Sequence, residues 1–308
     1  MKAVTITEFG AQPTLRDDLP APVPLGDEVL VRVHASSVNP LDGAIAGGKF
    51  RGMLHHQWPV ALGRDFAGRV EQVGEDVSGV QEGDRVFGEI PFAAPIKQGA
   101  WAEFIVVRET ALVRTPESVS EVAAGAAALC GSTALMIVHA LDLSSGDTVL
   151  IAGATGGVGS LVVQLAASAG AIVIANGFPE DHEFLCALGV TEILSRDGDM
   201  VTALRRQYPD GVDAIVDLVN QRPGTFDACL KGGGRVASTT NSAGQGSGRT
   251  NVMHAAAPAD ILDRVARCLA DRRLEVPIHR TYELADAGMA LSDLVVRHTQ
   301  GKLAVRVA

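Results

Sequence analysis

The sequence predicts an α/β protein, with an antiparallel, barrel-like strand domain followed by a doubly wound parallel sheet. Three observations carry that prediction. Hydrophobic residues make up 47% of the 308 and aromatics only 4%, so small and β-branched side chains fill a core suited to close helix-on-sheet packing. Up to about residue 120, short strand-like runs are cut apart by glycine and proline. Beyond residue 148, strands alternate with helices, the pattern of parallel pairing.

The strand-like runs of the first part are Lys2–Ile6, Glu28–Ser37, Ala67–Val73, Arg85–Gly88 and Ala102–Val107. Pro20-Ala21-Pro22, Gly47-Gly48, Gly79, Glu82-Gly83-Asp84 and Gly99 are the turn signals. Many short strands of this kind predict an antiparallel barrel. Ser120–Leu141 is Ala-rich and apolar at helical spacing. Next come strand Thr148–Ala152, a glycine turn, helix Val158–Ala169 and strand Ile172–Ala175. Helix Glu180–Leu188, strand Glu192–Leu194, helix Met200–Gln207 and strands Val212–Val216 and Arg235–Ser238 follow. Thr239–Asn251 reads as a Gly/Ser-rich loop, Ala259–Leu274 as an amphipathic helix, and Ile278–Leu284 and Lys302–Val307 as strands. The expected domains are 1–120, 121–255 and a C-terminal segment, 256–308.

Charge narrows the partners. Lys plus Arg total 26 and Asp plus Glu 36, a net charge of −10. An acidic chain repels phosphate backbones and anionic membranes, so no nucleic acid or membrane partner is expected. No run of about 18 apolar residues could span a bilayer. The start of the chain has no signal-peptide character, so the expected location is cytoplasmic. Cys130, Cys186, Cys229 and Cys268 are scattered, with no Cys-x-x-Cys, and read as apolar fillers.

The strongest local signal is Gly153-Ala154-Thr155-Gly156-Gly157-Val158-Gly159, after an apolar strand and before an apolar helix. Glycines let the backbone approach a pyrophosphate, and a helix N-terminus offers free N–H groups and a positive dipole end. The usual Gly-x-Gly-x-x-Gly appears as Ala154-x-Gly156-x-x-Gly159, with the first glycine replaced. About 20 residues on, where an NAD site carries an acid, stand Asn176 and Gly177. Their neutrality leaves room for a 2′-phosphate and favours NADPH over NADH. His182 is the nearest basic candidate for that phosphate, or else a solvated helix residue.

At this point the chain resembles the zinc-free quinone oxidoreductase branch of the medium-chain dehydrogenase/reductase superfamily. The resemblance is carried by Val38-Asn39-Pro40-Leu41-Asp42, Pro59-x3-Gly63-x-Asp65-x2-Gly68-x-Val70 and Gly83-Asp84-Arg85-Val86. It continues through Gly99-Ala-Trp-Ala-Glu-Phe104, Ala128-Leu-Cys-Gly-Ser-Thr-Ala134, the Gly153–Gly159 turn and Gly301-Lys302. It implies a GroES-like β-barrel domain, a Rossmann domain and a C-terminal return to the barrel domain. It further implies an active site in the cleft between them and a homodimer. Zinc alcohol dehydrogenases of this superfamily carry a Cys near position 39, Gly-His-Glu where this chain has Gly63-Arg64-Asp65, and a Cys-Gly-x-x-Thr that Cys130-Gly131-Ser132-Thr133 misses by one residue. A catalytic zinc needs three such ligands, so no zinc is expected.

Without a metal, hydride transfer suits an acceptor that is already electrophilic, a quinone or an α,β-unsaturated carbonyl. Fixed donors near its oxygen then matter most. Asn39 is the first candidate donor, or a contact to the nicotinamide ribose or carboxamide, or simply the turn residue before Pro40. Asp42 reads as a holder of Asn39, a proton relay or a solvated carboxylate. Thr133 resembles the family threonine beside the nicotinamide, or is a plain helix residue. Val219, Ser238 and Thr239 follow two strands of the parallel sheet and line the nicotinamide side. Asp65 reads as part of an internal ion pair with Arg64 or as a turn residue. Phe92 and Trp101 read as cleft walls or as core. The competing reading is a non-catalytic NADPH-binding or redox-sensing module. A short-chain dehydrogenase is excluded because Tyr208 and Tyr282 have no Lys four residues on, and a serine hydrolase because no Gly-x-Ser-x-Gly occurs.

Overall fold

Glu28–Ser37 buries Val29, Val31 and Val33 on one face and exposes Arg32 on the other, the period-two pattern of a strand, and Leu30 and Ser36 on the Arg32 face are covered as well. Each fully buried valine stabilises by roughly 1.5–3 kcal/mol relative to an exposed one. A computed structural model describes residues 1–220, 222–253 and 256–308. They form two compact units. Unit 1 is Met1–Ser132, His254–Arg272 and Ile278–Ala308, and unit 2 is Thr133–Met253 and Arg273–Pro277.

Unit 1 begins with β1 (Ala3–Ile6), β2 (Thr14–Arg16), β3 (Glu28–Ser37), α1 (Pro40–Ala46), β4 (Val60–Ala61) and β5 (Asp65–Val73). β6 (Arg85–Glu89), β7 (Phe104–Arg108), β8 (Leu112–Arg114) and α2 (Glu121–Ala124) follow, and then α3 (Ala128–Leu141), which belongs to unit 2 from Thr133 on. The expected single helix Ser120–Leu141 is therefore broken. Gly125 lies against the β3 backbone, where a Cβ would stand 2.7 Å from the Ala35 oxygen, and α2 stops there.

Unit 2 carries β9 (Thr148–Ala152), α4 (Gly157–Ser168), β10 (Ile172–Gly177), α5 (His182–Leu188) and β11 (Glu192–Ser195). It continues with α6 (Met200–Gln207), β12 (Val212–Asp217), β13 (Leu230–Ser238) and β14 (Arg249–Asn251). The sheet order is β11-β10-β9-β12-β13-β14, with every pair parallel. This is the doubly wound order that places a switch point at its first strand. Leu150, Ile174, Leu204, Ile215 and Val236 fill the core on one face. β14 lies inside the expected loop Thr239–Asn251. It joins the sheet by backbone pairing, Val236 opposite Arg249, while its polar side chains bond to Asp227, Ala243 and Gly244, so it carries no apolar strand signature.

The chain returns to unit 1 with α7 (Ala259–Ala270), β15 (Ile278–Glu283), α8 (Ala287–Val296) and β16 (Lys302–Arg306). α7 ends four residues before the expected Leu274, because Arg272 takes a positive φ of 54°. β16 joins the seven-stranded sheet β15-β16-β3-β5-β6-β8, with β7 on β3. It pairs antiparallel with β3, Ala304 opposite Ser37, which brings Lys302 beside the end of β3. β15 and β16 pair in parallel, a departure from the purely antiparallel expectation.

Candidate functional site

The turn after β9 shows what each glycine does. Gly153 has φ +92°, a region that only glycine enters without strain. A Cβ on Gly159 would overlap the Gly153 carbonyl oxygen and come within 2.8 Å of the Ala154 Cα, so its absence lets α4 sit against the turn. Ala154 is fully buried with a negative φ, so the position usually held by the first glycine accepts a methyl group here. Gly156 caps α4, and Gly157 and Val158 open its first turn. The first N–H groups of such a helix have no partner inside it, and with the dipole they form a cradle for a pyrophosphate. Thr155 is buried within the turn.

Asn176 and Ser238 stand at the carboxyl ends of β10 and β13, and Val219 lies two residues beyond β12; β10 and β12 flank β9, and β13 is the next strand out. The Asn176 Oδ1 is buried without a hydrogen-bond partner among the described residues. Val219 is 52% exposed and leans on Gly153, where a Cβ would meet its Cγ1 at 2.8 Å. The Ser238 hydroxyl sits among the Ser242 and Thr240 hydroxyls at 2.8 and 3.1 Å. Thr239 is half-buried next to it. Thr133 lies within α3, 7% exposed. His182 is exposed at the start of α5.

Sequence reading missed a second cation at this edge. β11 pairs with β10, Gly177 opposite Ser195, and the next residue is Arg196. Its backbone N–H donates to Gly177 O at 3.1 Å and its guanidinium stacks 4.9 Å from the Phe178 ring centroid. Arg196 is distant in sequence from Asn176 but adjacent in the sheet. Looking for a base beyond the next parallel strand would have found it.

Unit 1 holds a buried polar cluster at the end of β3. Asp65 is fully buried and its Oδ2 accepts from the Ser37 hydroxyl at 2.5 Å and from Asn39 Nδ2 at 2.8 Å. Its Oδ1 accepts from Leu129 N at 2.6 Å. Lys302, 4% exposed, donates from Nζ to Asn39 Oδ1 at 2.6 Å and Val38 O at 3.2 Å, and lies 3.6 Å from Asp65. The second Asn39 amide hydrogen has only the Ser37 hydroxyl at 3.4 Å, so it is the spare donor of the cluster. Lys302 was legible only as part of a motif. Its place here is set by β16.

Asp42 is the third residue of α1. Its Oδ2 accepts from the Asn39 backbone N–H at 2.8 Å and its Oδ1 from Gly63 N at 3.0 Å. The solvated-carboxylate reading fails, because Asp42 is fully buried and holds Asn39 in place. Burial pushes its carboxyl up to about 6, and the Arg64 guanidinium opposes that rise. The expected Arg64–Asp65 ion pair is replaced: Asp65 turns to Lys302, and Arg64 donates to the carbonyls of Gln98 and Pro91. Trp101 is core, fully buried with its indole N–H on Ser37 O at 3.1 Å. Phe92 is half-buried against Phe50. The Cys130 thiol donates to Ala126 O at 2.9 Å, and burial pushes it up to about 12. Among the described residues, no three His, Cys, Asp or Glu side chains are grouped to hold a metal ion. No helix among them is long and apolar enough to cross a membrane.

Two family models match the chain, the alcohol dehydrogenase GroES-like domain over residues 26–117 and the zinc-binding dehydrogenase over residues 188–305. The chain is 32% identical over 246 residues to 2-methylene-furan-3-one reductase of Solanum lycopersicum, 78% of this chain and 62% of that one. The chain thus spans less than two thirds of that relative. It is 32% identical over 229 residues to the chloroplast envelope quinone oxidoreductase homolog of Arabidopsis thaliana, 72% of this chain and 69% of the other. The quinone oxidoreductase from Coxiella burnetii superimposes with a TM-score of 0.87 at 30% identity, over 100% of this chain and 99% of that one. A mycobacterial structure complexed with NADPH does so with a TM-score of 0.83 at 26% identity, over the whole of both chains. With its parallel-sheet unit, its GroES-like unit and these relatives, the chain belongs to the quinone oxidoreductase branch of the medium-chain dehydrogenase/reductase superfamily.

Proposed function

We propose that the chain is an NADPH-dependent, zinc-independent reductase of quinones or α,β-unsaturated carbonyls. The observation that carries the reading is the Gly153–Gly159 cradle followed by a β10 that ends on Asn176-Gly177, with the buried Asp181 carboxylate beyond it accepting from the Phe178 N–H and with Arg196 beside it. The cradle has the shape a pyrophosphate needs, and the orphaned Asn176 Oδ1 is a free acceptor for a ribose hydroxyl. Arg196 replaces His182 as the base for the 2′-phosphate. Bound NADPH supplies the hydride. The names of the relatives supply the acceptor class, a furanone with an exocyclic alkene and quinones.

Asn39 is assigned the donor role toward the acceptor oxygen, through its one spare amide hydrogen. Asp42, Asp65 and Lys302 are positioning residues that fix the Asn39 backbone and amide. Thr133 is assigned to the nicotinamide, and Val219, Ser238 and Thr239 to the wall on its side. Zinc independence is supported by the amide at position 39, the guanidinium at 64 and the protonated thiol at 130. The family resemblance supports a homodimer.

A fluorescence titration tests the cofactor. NADPH is expected to bind more tightly than NADH, and Arg196→Ala to weaken NADPH at least about tenfold while leaving NADH unchanged, the loss of one charge-assisted contact. Tighter NADH binding overturns the cofactor assignment. NADPH oxidation is expected with a panel of quinones and 2-alkenals and is expected to survive dialysis against EDTA. Tight NADPH binding with no turnover on any of them points to the non-catalytic module instead.

A further inference from the structure

Arg64 is a buried cation that the proposed reaction does not use. It sits just before β5 and is 2% exposed. Among the described residues its hydrogen-bond partners are two backbone carbonyls, Gln98 O at 2.6 Å and Pro91 O at a long 3.4 Å, and its Nε is buried with no partner. The neighbouring Asp65 carboxylate is spent on Ser37, Asn39, Leu129 and Lys302. Asp42 and Glu89 act on the guanidinium only through space, and burial lowers its affinity for its proton. A desolvated charge answered by neutral carbonyls is unfavourable, and a carboxylate is the partner whose two oxygens match a guanidinium.

The same side chain forms part of the wall of a pocket of about 270 Å³ within unit 1. Ile90, Pro91 and Ile96 give it apolar sides, Lys97 and Arg108 add two more cations, and Glu28 contributes one carboxylate, so the charged lining is cationic in balance. One wall is held in shape by Gln98, whose amide donates to Val106 O at 2.6 Å and accepts from Val106 N at 3.3 Å. A cavity of this size with apolar sides and a cationic wall suits a small organic acid. An inorganic phosphate would leave most of its oxygens facing hydrocarbon.

We propose that this pocket binds a small monocarboxylate, its carboxylate against Arg64 and its apolar body against Ile90, Pro91 and Ile96. The test is thermal unfolding of the full chain, without NADPH, in sodium benzoate, butyrate or pyruvate, with benzyl alcohol and inorganic phosphate as controls at matched ionic strength. At least one carboxylate is expected to raise the unfolding temperature in a saturable way, as a ligand of the native state must. Neither control is expected to do so. Arg64→Met is expected to weaken binding at least about tenfold and Arg64→Lys less. Ala93→Trp, at an exposed position of the pocket wall, fills the space with Arg64 intact and is expected to abolish the response. It also decides the matter if Arg64→Met does not fold. The proposal is overturned if none of the three carboxylates stabilises the wild type, if phosphate does so equally, or if the response survives Ala93→Trp. Because the readout contains no cofactor, these outcomes are independent of the NADPH assignment.

Discussion

In unit 2 the proposed cofactor cradle is made of backbone, and what its sequence must supply is the absence of side chains at Gly153 and Gly159. In unit 1 the Asn39 amide is held by side chains, Asp65 and Lys302, drawn from β5 and β16. The first arrangement is local and tolerates change wherever no atom is in the way. The second is a closed ledger of buried charges and donors, in which removing one member strands the rest. The two should therefore fail differently, and four substitutions separate them.

Lys302→Met should have the largest effect. It leaves the fully buried Asp65 carboxylate without its cation and Asn39 Oδ1 without a donor, so chemical denaturation should show a loss of about 3–5 kcal/mol. A loss under about 1 kcal/mol would mean that the cluster is not closed as described. Gly159→Ala comes next, with about 1–3 kcal/mol from overpacking against Gly153 and a loss of NADPH affinity larger than the stability loss alone explains. An unchanged NADPH affinity would break the backbone-cradle account.

Asp42→Ala should cost about 1–3 kcal/mol by leaving the buried Asn39 and Gly63 N–H groups unpaired. It also has a pH signature. Asp42 is held at about 6, above its ordinary 3.8, so the native state binds its proton more tightly than the unfolded chain. Its contribution to stability therefore rises as pH falls from about 6 towards about 4, and is flat outside that window. That slope should vanish in Asp42→Ala. A slope of the opposite sign in the wild type, compared with the variant, would show the two N–H donors outweighing burial. Ala154→Gly should do least, within about 1 kcal/mol and with NADPH binding intact, because the methyl fits where it is.

The same contrast explains what could be read in advance. Glycines constrain their own neighbourhood, so the turn, its flanking β9 and α4 and the neutral end of β10 were legible from spacing. Asn39 and Asp42 were visible because they lie three residues apart on the Asn-Pro start of α1. Lys302 and Arg196 were not assigned, because a residue's value at a site built by strand pairing depends on register and not on sequence distance. Arg64 and Asp65 were mispaired for that reason, since adjacent residues in an extended segment point to opposite faces. β14 escaped because its polar residues join the sheet through backbone pairing, and Gly125 broke a helix whose periodicity was intact.

The sequence by itself determined the class of each unit and the glycine turn between β9 and α4, because hydrophobic period and glycine placement act over a few residues. It also determined that the β10 end carries no acid. Only the tertiary structure decided which charges meet: Lys302 with Asp65 and Asn39, Arg196 at the end of β10, and Arg64 buried without a carboxylate hydrogen-bonded to it among the described residues. Those pairings arise from strand order and burial, which raise the cost of an unpaired charge and so make its partner, or its lack of one, informative.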